Sequence, residues 1–335
     1  MSSDAEKTVQ RMEEALLDNC RRQGLFKSGD RVIAACSGGA DSMALLLFLL
    51  RHRRTLEIEV LATHVNHGIR GETARRDADF VADFCRRNGV ELFLYDAVQE
   101  GIEVPPRPSE DWARGLRYGW FDELAAREEA VIATAHTMSD QAETVLFRMA
   151  RGTGLHGLTG IPPRRGCYVR PMLCLTRADT EAYCAALGQH YIQDETNAED
   201  VYARNRIRRQ VVPVLRQLNP RLTESAAETM GYLRTDNDYL NAQAAAACQN
   251  ARWAEDDLVI EARYIAQLPA AIAPRAVRRL LEMMGDGNIN GMNPVQKLFV
   301  FRIIFQQSVG LCKTADFLLI PSENGCYFNI ADIFG

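Results

Sequence analysis

The stretch Ser37-Gly38-Gly39-Ala40-Asp41-Ser42 decides the fold, because this small polar turn stands between two apolar segments. The segment before it, Arg-Val-Ile-Ala-Ala-Cys at 31–36, is typical of a buried strand, and the segment 43–53 is typical of a helix. A turn at that position directs backbone N–H groups and the positive end of the helix dipole at one point. Glycines let the backbone approach a ligand, and serine hydroxyls add donors. The stretch therefore predicts a phosphate-binding loop, against the alternative of an ordinary glycine turn.

Asp41 is the one acidic residue in this loop. Its carboxylate would repel a phosphate unless a cation lay between them, so Asp41 is a candidate ligand of Mg²⁺. No lysine follows the glycines, which excludes the Gly-x-x-x-x-Gly-Lys-Ser/Thr loop of kinases and ATPases. The loop therefore belongs to another class of nucleotide site.

Strands and helices alternate through the first half of the chain. The apolar runs predict strands at 31–36, 57–63, 91–97 and 130–134, and helices at 43–53, 72–88, 109–127 and 140–151. This alternation predicts an α/β fold with a parallel sheet covered on both faces, whose ligands bind at the carboxyl ends of the strands. Beyond Pro171 the pattern predicts helices at 176–187, 203–218, 223–253 and 273–284, and a terminal hairpin from Phe317–Pro321 and Cys326–Ile330.

Composition narrows the class of protein. With 335 residues, two domains are the first expectation, and no apolar run is long enough to cross a bilayer, so we expect a cytoplasmic protein without a membrane partner. Nine cysteines without any Cys-x-x-Cys pair favour reduced thiols and argue against a zinc or iron–sulfur site. The net charge of −5 means that RNA binding would depend on local basic patches.

Further motifs follow the loop in a fixed order. They are Thr63-His-Val-Asn-His-Gly-Ile-Arg70, Ser109-Glu110 with Arg114 and Arg117-Tyr118, Thr134 to Thr144, Arg151-Gly-Thr-Gly154, Arg170-Pro171, Asp194-Glu-Thr-Asn197 and Arg204-Asn-Arg-Ile-Arg208. With the loop, they resemble the PP-loop ATP pyrophosphatases and, among these, the tRNA(Ile)-lysidine synthetase family. The resemblance covers residues 31–220. The chain departs from the commoner family pattern at Asn66, Thr137 and Ser139, so no role is assigned to these three side chains.

The resemblance implies a ligase that uses ATP and Mg²⁺. Its RNA substrate would be the isoleucine tRNA with a CAU anticodon, whose wobble cytidine is adenylated at C2 and then attacked by the ε-amine of free L-lysine. Codon reading would change from AUG to AUA. The implied domains are a PP-loop catalytic domain at 1–200, a basic connecting helix at 201–220 and a mainly helical tRNA-binding domain at 221–335. Whether the chain forms a homodimer stays open.

Two carboxylates are candidates for the lysine site. Asp140 and Glu143 lie three residues apart at a predicted helix start, so both can face the strand ends. Taken alone, they also fit a helix-start carboxylate and a surface glutamate. A lysine substrate favours the functional interpretation, because an ammonium group needs an anionic pocket and the amine must lose a proton before it attacks. We therefore take Asp41, Asp140 and Glu143 as the catalytic candidates.

Histidines and arginines complete the candidate sites. His64 and His136 stand at strand ends, where they can touch phosphate or ribose, although structural roles are equally expected for them. Arg114 and Arg117 lie three apart, so both can reach one anion. The ATP-binding candidates are Ser37, Gly38, Gly39, Ala40, Asp41, Ser42, His64, Arg114 and His136. The tRNA-binding candidates are Arg204, Arg206, Arg208 and Arg209. For these four arginines we favour contact with tRNA phosphates over the alternative of a solvated basic face.

Three other functions remain as alternatives. A PP-loop tRNA thiolase is disfavoured by the missing Cys-x-x-Cys pairs. A small-molecule amidotransferase-type synthetase is disfavoured because we expect no amidotransferase segment, since Met1 to Asn19 holds no cysteine. A catalytically silent RNA-binding relative is disfavoured by the presence of Asp41 and Glu143.

Overall fold

The computed structural model describes residues 3–69, 71–193, 203–254, 257–260 and 262–284. Its helices are α1 Ser3–Arg22, α2 Ala40–His52, α3 Glu72–Asn88, α4 Glu110–Arg127, α5 Met138–Arg151, α6 Leu155–Leu158, α7 Arg177–Ala186, α8 Ala203–Arg206, α9 Val212–Leu218, α10 Leu222–Cys248, α11 Ala262–Gln267 and α12 Ala273–Met284. Its strands are β1 Arg31–Ala35, β2 Glu59–Asn66, β3 Leu92–Asp96, β4 Val131–Ala133, β5 Arg164–Arg165, β6 Tyr168–Val169, β7 Arg252–Ala254 and β8 Asp257–Val259. A 3₁₀ turn at Pro171–Cys174 precedes α7, and a π-helical turn at Ile207–Val211 joins α8 to α9.

Six strands form the main sheet, in the order β3-β2-β1-β4-β6-β5. All neighbouring pairs are parallel except β5 with β6. The strand order reverses at β1, which lies between β2 and β4, and an α/β sheet binds ligands at such a point, beyond the carboxyl ends of its strands. The predicted α/β fold class is confirmed, and the loop at 37–42 follows the central strand.

Helices cover both faces of this sheet. Successive side chains of a strand point to opposite faces, and Val32 and Ala34 accordingly belong to the core that includes α1, α2, α3 and α7. Ile33 points the other way and belongs to a second core with Phe121 and Leu124 of α4. The central strand is therefore apolar on both sides, as the continuous apolar run at 31–36 predicts.

Helix α1 is an element that the sequence analysis did not predict. Val9, Met12, Leu16 and Cys20 are buried at spacings of three and four residues, so the helix has one apolar face. The Asn19 side chain donates a hydrogen bond of 2.9 Å to the carbonyl of Pro171. The helix thereby packs beside the 3₁₀ turn that leads into α7.

By compactness the chain divides into two units. The first comprises Met1–Arg151 and Gly160–Thr229, and the second comprises Gly152–Thr159 and Met230–Gly335, so the division falls within α10. The core of the second unit includes Ala247 from α10 and Ala276 and Leu280 from α12. The three-part division at 200 and 220 stays a prediction.

Two predictions about the second half need comment. The helix predicted to reach Trp253 ends at Cys248, because residues 252–254 pair with 257–259 as an antiparallel hairpin. The predicted terminal hairpin and the Asp194–Asn197 motif lie outside the described residues. In the part of the chain that is described, no helix is long and apolar enough to cross a membrane.

Candidate active site

The turn after β1 is a closed loop held by its two serines. The backbone N–H of Ser37 donates to Oγ of Ser42 at 3.1 Å, and that hydroxyl donates to the carbonyl of Gly39 at 2.9 Å. Gly38 has φ of 89°, and a Cβ at this position would collide with the Cδ1 methyl of Ile192. The backbone angle therefore favours glycine at 38, and a larger residue would also require the Ile192 side chain to shift.

A cavity of about 360 Å³ opens between this loop and the ends of β1, β2 and β4. We call it the nucleotide cavity. It is lined by Ala35, Cys36, Ser37, Asp41, Ser42, Thr63, Val65, His67, Arg117, Tyr118, Phe121, Thr134, Ala135, His136, Asp140 and Arg177. The cavity occupies the position at which the sheet order predicts a ligand.

The two predicted histidines occupy different places. His136 lines the nucleotide cavity, and its Nδ1 lies 2.9 Å from Oγ1 of Thr134. His64 is buried behind the loop, with Nδ1 2.9 Å from the carbonyl of Cys36. A carbonyl only accepts, so Nδ1 of His64 carries the proton. His64 thus supports the strand end before the phosphate loop, while His67 lines the cavity in its stead.

Asp41 has partners that the sequence analysis missed. The sequence analysis named only a cation as a partner of Asp41, and the structure adds two side chains: Nε of Arg177 lies 3.2 Å from its Oδ2, and Thr180 donates a hydrogen bond to its Oδ1. Burial raises the pKa of the Asp41 carboxyl, and the attraction of Arg177 only partly offsets this. Within the described ranges, no cluster of three or more His, Cys, Asp or Glu side chains forms a ready metal site.

Asp140 serves the start of α5 and also faces the cavity. Its Oδ2 accepts hydrogen bonds from the backbone N–H of Thr137 at 2.8 Å and from the Thr137 hydroxyl at 3.0 Å. Its Oδ1 lies 3.5 Å from Arg177 and 3.6 Å from Arg208. One oxygen of this carboxylate therefore caps the helix and the other lies near two cations, while its role in binding lysine stays a prediction.

Glu143 is almost completely buried, with 3% of its surface exposed. Arg208 contacts both of its carboxylate oxygens, Nε at 2.7 Å from Oε1 and Nη2 at 2.9 Å from Oε2. Such a bidentate pair is the strong form of an arginine–carboxylate contact. The predicted tRNA-binding residue Arg208 thus has its guanidinium in the predicted lysine site.

The spacing of Arg114 and Arg117 predicted that both could reach one anion, but the two side chains line different cavities. Arg117 lines the nucleotide cavity, whereas Arg114 lines a second cavity beside it. The ring centroid of Tyr118 lies 4.5 Å from the guanidinium carbon of Arg114 and 5.9 Å from that of Arg117. An ATP contact for Arg114 stays a prediction that its position does not favour.

The remaining tRNA-binding candidates lie on α8 and the π-helical turn. Arg206 and Arg209 are exposed, in contrast to the half-buried Arg208. The side chain of Arg204 lies outside the described set.

The sequence analysis overlooked Arg177 and Thr180, which belong to α7. Their helix begins with a capping box in which Thr176 and Asp179 hydrogen-bond each other's backbone N–H groups. That signal predicts the helix start. Nothing near it in the sequence indicates that the same turn reaches Asp41, because the contact joins residues 136 positions apart.

The chain is similar in sequence to known proteins over most of its length. The PP-loop domain family matches residues 5–215 of the chain. A tRNA(Ile)-lysidine synthase of Clostridium acetobutylicum is 32% identical over 323 residues, which cover 95% of this chain and 68% of that protein.

The chain belongs to the tRNA(Ile)-lysidine synthase family. Members from Bacteroides thetaiotaomicron and Clostridioides difficile are 39% and 38% identical over 66% and 70% of this chain, and over 52% and 51% of their own lengths. The chain thus spans about half the length of these curated relatives. Among solved structures, the U34-tRNA thiolase NcsA from Methanococcus maripaludis with its [4Fe-4S] cluster has a TM-score of 0.58 at 17% identity, covering 68% of this chain and 79% of that one. The likeness confirms the PP-loop fold.

Proposed function

We propose that the chain ligates free L-lysine to C2 of the wobble cytidine in the isoleucine tRNA with a CAU anticodon, in the cytoplasm and at the expense of ATP. In the first step the oxygen on C2 attacks the α-phosphorus, which forms an adenylated tRNA and releases pyrophosphate. In the second step the ε-amine of lysine attacks C2 and loses a proton, and AMP leaves. The product is lysidine.

The phosphate loop supports the first step. Ser37, Asp41 and Ser42 of the loop and the start of α2 line the nucleotide cavity at the switch point of the sheet, and a helix start favours a bound phosphate. Such a site holds a leaving pyrophosphate by donors that are already oriented, so their alignment costs little free energy during the reaction. His136 and Arg117 line the same cavity, which supports the proposal that they contact the nucleotide or the target base.

The ion pair of Glu143 and Arg208 is the observation that carries the proposal for lysine. Two buried carboxylates, Asp140 and Glu143, face one organic cation at contact distance. The ε-ammonium group of lysine is a cation with the same requirement for an anionic pocket. Lysine would therefore take the place of the Arg208 guanidinium beside these carboxylates, and either carboxylate would then accept the proton that the amine loses.

The oxygen donors also suit Mg²⁺. Magnesium is usually held by one or two carboxylates together with substrate phosphates and water. Asp41 and Asp140 lie close enough for the same Arg177 side chain to contact both. We propose that Asp41 holds Mg²⁺ against the phosphates, where the ion would neutralise charge as pyrophosphate leaves.

The test is mass spectrometry of the nucleosides from isoleucine tRNA that has been incubated with the protein, ATP, Mg²⁺ and lysine. Lysidine should replace cytidine at the wobble position, and omission of lysine should leave an AMP ester that labelled ATP reveals. A methionine tRNA with the same CAU anticodon serves as the matched control RNA.

Two outcomes would contradict the proposal. A sulfur-containing nucleoside formed with a sulfur donor would assign the chain to the thiolases. Tight tRNA binding without ATP–pyrophosphate exchange would favour a silent RNA-binding relative.

A further inference from the structure

A second cavity, of about 430 Å³, lies beside the nucleotide cavity and carries five arginines. We call it the arginine cavity. The five are Arg114, Arg148, Arg151, Arg165 and Arg170. The two carboxylates, Glu110 and Asp111, belong to the first turn of α4, so the positive charges outnumber them. The cavity shares only Tyr118 and His136 with the nucleotide cavity.

Arg170 is the buried member of this group. It is 4% exposed, and one of its terminal nitrogens, Nη1, donates to the carbonyl of Pro162 at 2.7 Å. Its Nε is buried and has no hydrogen-bond partner in the described part of the chain. Arg170 is thus a fixed positive charge in the wall of the cavity, and the described part of the chain leaves some of its donor capacity unused.

The other four arginines of the cavity are more exposed than Arg170. Arg148 donates to the carbonyl of Gly160 at 3.0 Å, while Arg114, Arg151 and Arg165 are exposed. The guanidinium of Arg151 lies 5.2 Å from the centre of the Phe147 ring. Burial lowers the pKa of Arg170, its contact with Tyr118 raises that pKa, and the charges of Arg165 and Arg114 lower it because like charges repel. A polyanion would relieve that repulsion.

We propose that the arginine cavity binds phosphodiester groups of the RNA strand directly next to the nucleotide that enters at His136. This inference rests on the proposed function, because it takes an RNA nucleotide as the acceptor of the adenylyl group. Arginine forks match phosphate oxygens, and aromatic rings offer stacking surfaces to unpaired bases. Tyr118 and Phe147 supply such rings in the same wall. A phosphate of ATP is the less suitable occupant, because the phosphate loop lines the other cavity.

The test uses the full chain with Arg151 and Arg165 both changed to glutamine, since both side chains are exposed and their loss spares the core. The matched control is Arg164→Gln, the residue beside Arg165, whose side chain donates to the carbonyls of Gly24 and Leu25 and is absent from the cavity wall. The probe is a hairpin RNA with the CAU anticodon loop, titrated at several salt concentrations.

The double variant should bind the hairpin about ten- to hundredfold more weakly, as expected for lost charge-assisted hydrogen bonds. The slope of log affinity against log salt should fall by about 0.7 for each lost contact to a single strand. Affinities for ATP and for pyrophosphate should match those of the Arg164→Gln control.

An unchanged salt slope in the double variant would overturn the inference. So would a loss of ATP or pyrophosphate affinity without a loss of RNA affinity, because the cavity would then serve the nucleotide. Failure of the proposed function is distinguishable: unmodified cytidine in the wild-type assay, together with a lower slope in the variant, would leave the RNA site in place and remove only the reaction.

Discussion

Arg208 and Glu143 form an ion pair in which one partner is nearly buried and the other is about one quarter exposed at its side chain. Removal of one member of a buried pair leaves an uncompensated charge and typically costs about 3–5 kcal/mol, while the intact pair itself adds little to stability. Replacement of the Arg208 guanidinium by another cation should therefore change the stability little, whereas leaving Glu143 without any cation should lower it. A substrate ammonium group is such a cation.

Glu143→Gln should weaken the use of lysine about ten- to hundredfold, because it removes a charge-assisted hydrogen bond worth roughly 1.5–3 kcal/mol. Adenylation of the tRNA should survive, since that step needs no lysine, and adenylated tRNA should accumulate. The measurement is the lysine dependence of lysidine formation beside a single-turnover adenylation assay. Glu123→Gln, on an exposed position of α4, is the control. Lost adenylation with normal lysine dependence would instead place Glu143 at the nucleotide.

Asp41→Asn should abolish adenylation without lowering stability at neutral pH. Burial raises the folded-state pKa of Asp41, so ionisation of this carboxyl disfavours the folded state above that pKa, and the penalty fades as pH falls toward its ordinary value. The variant lacks this penalty. Urea unfolding between pH 4 and pH 7 should therefore show, relative to wild type, a gain that grows with pH. If the variant instead loses stability relative to wild type as the pH rises from 4 to 7, the contacts of Asp41 with Arg177 and Thr180 outweigh the effect of its burial.

The basic segment formed by α8 and the π-helical turn presents arginines to different surroundings. Arg206 is the last residue of α8 and is exposed. Arg208 belongs to the π-helical turn, and its guanidinium contacts Glu143 of α5. Turns of π-helix occur mostly as single turns and often at functional sites. We therefore propose that the segment contacts RNA through Arg206 and the lysine site through Arg208.

Arg206→Gln should weaken tRNA binding and lower the salt slope by about 1, as for the loss of one phosphate contact, with unchanged ATP affinity. Arg208→Gln should differ: it should lower the free energy of unfolding, because Glu143 is left buried without its cation. Fluorescence titration with tRNA and urea unfolding separate the two effects. Equal losses of RNA affinity in both variants, with equal stability, would mean that both side chains contact RNA.

The sequence was most informative where one element determines the answer. The alternation of strands and helices predicted the sheet, and the glycines of the loop predicted its turn. The sequence was less informative where a site depends on distant pairing. Arg177 meets Asp41 only because α7 packs against α2, and spacing on one helix could not show that Arg117 lines one cavity and Arg114 another. Helix α1 was missed although its apolar residues recur every three to four positions.

The whole chain carries a net charge of −5, yet the arginine cavity and the α8 segment are basic. Long-range attraction to RNA is therefore weak, and affinity depends on local phosphate contacts. If six contacts form, an increase in salt from about 50 to 200 mM should weaken tRNA binding by roughly a thousandfold. ATP binding should change far less over the same range. Filter binding of tRNA and calorimetry of ATP would measure both, and a salt-independent tRNA affinity would contradict the local-patch account.

Ile192 packs against the phosphate loop: its backbone N–H donates to the carbonyl of Gly38 at 2.9 Å, and its Cδ1 methyl fills the space that a Cβ at position 38 would need. This contact makes the methyl a natural spectroscopic reporter. In protein labelled with ¹³C at isoleucine δ1 methyl groups, its signal should shift when the loop takes up phosphate, without any dye or added tag. The same resonance would show, during turnover, when pyrophosphate leaves the enzyme.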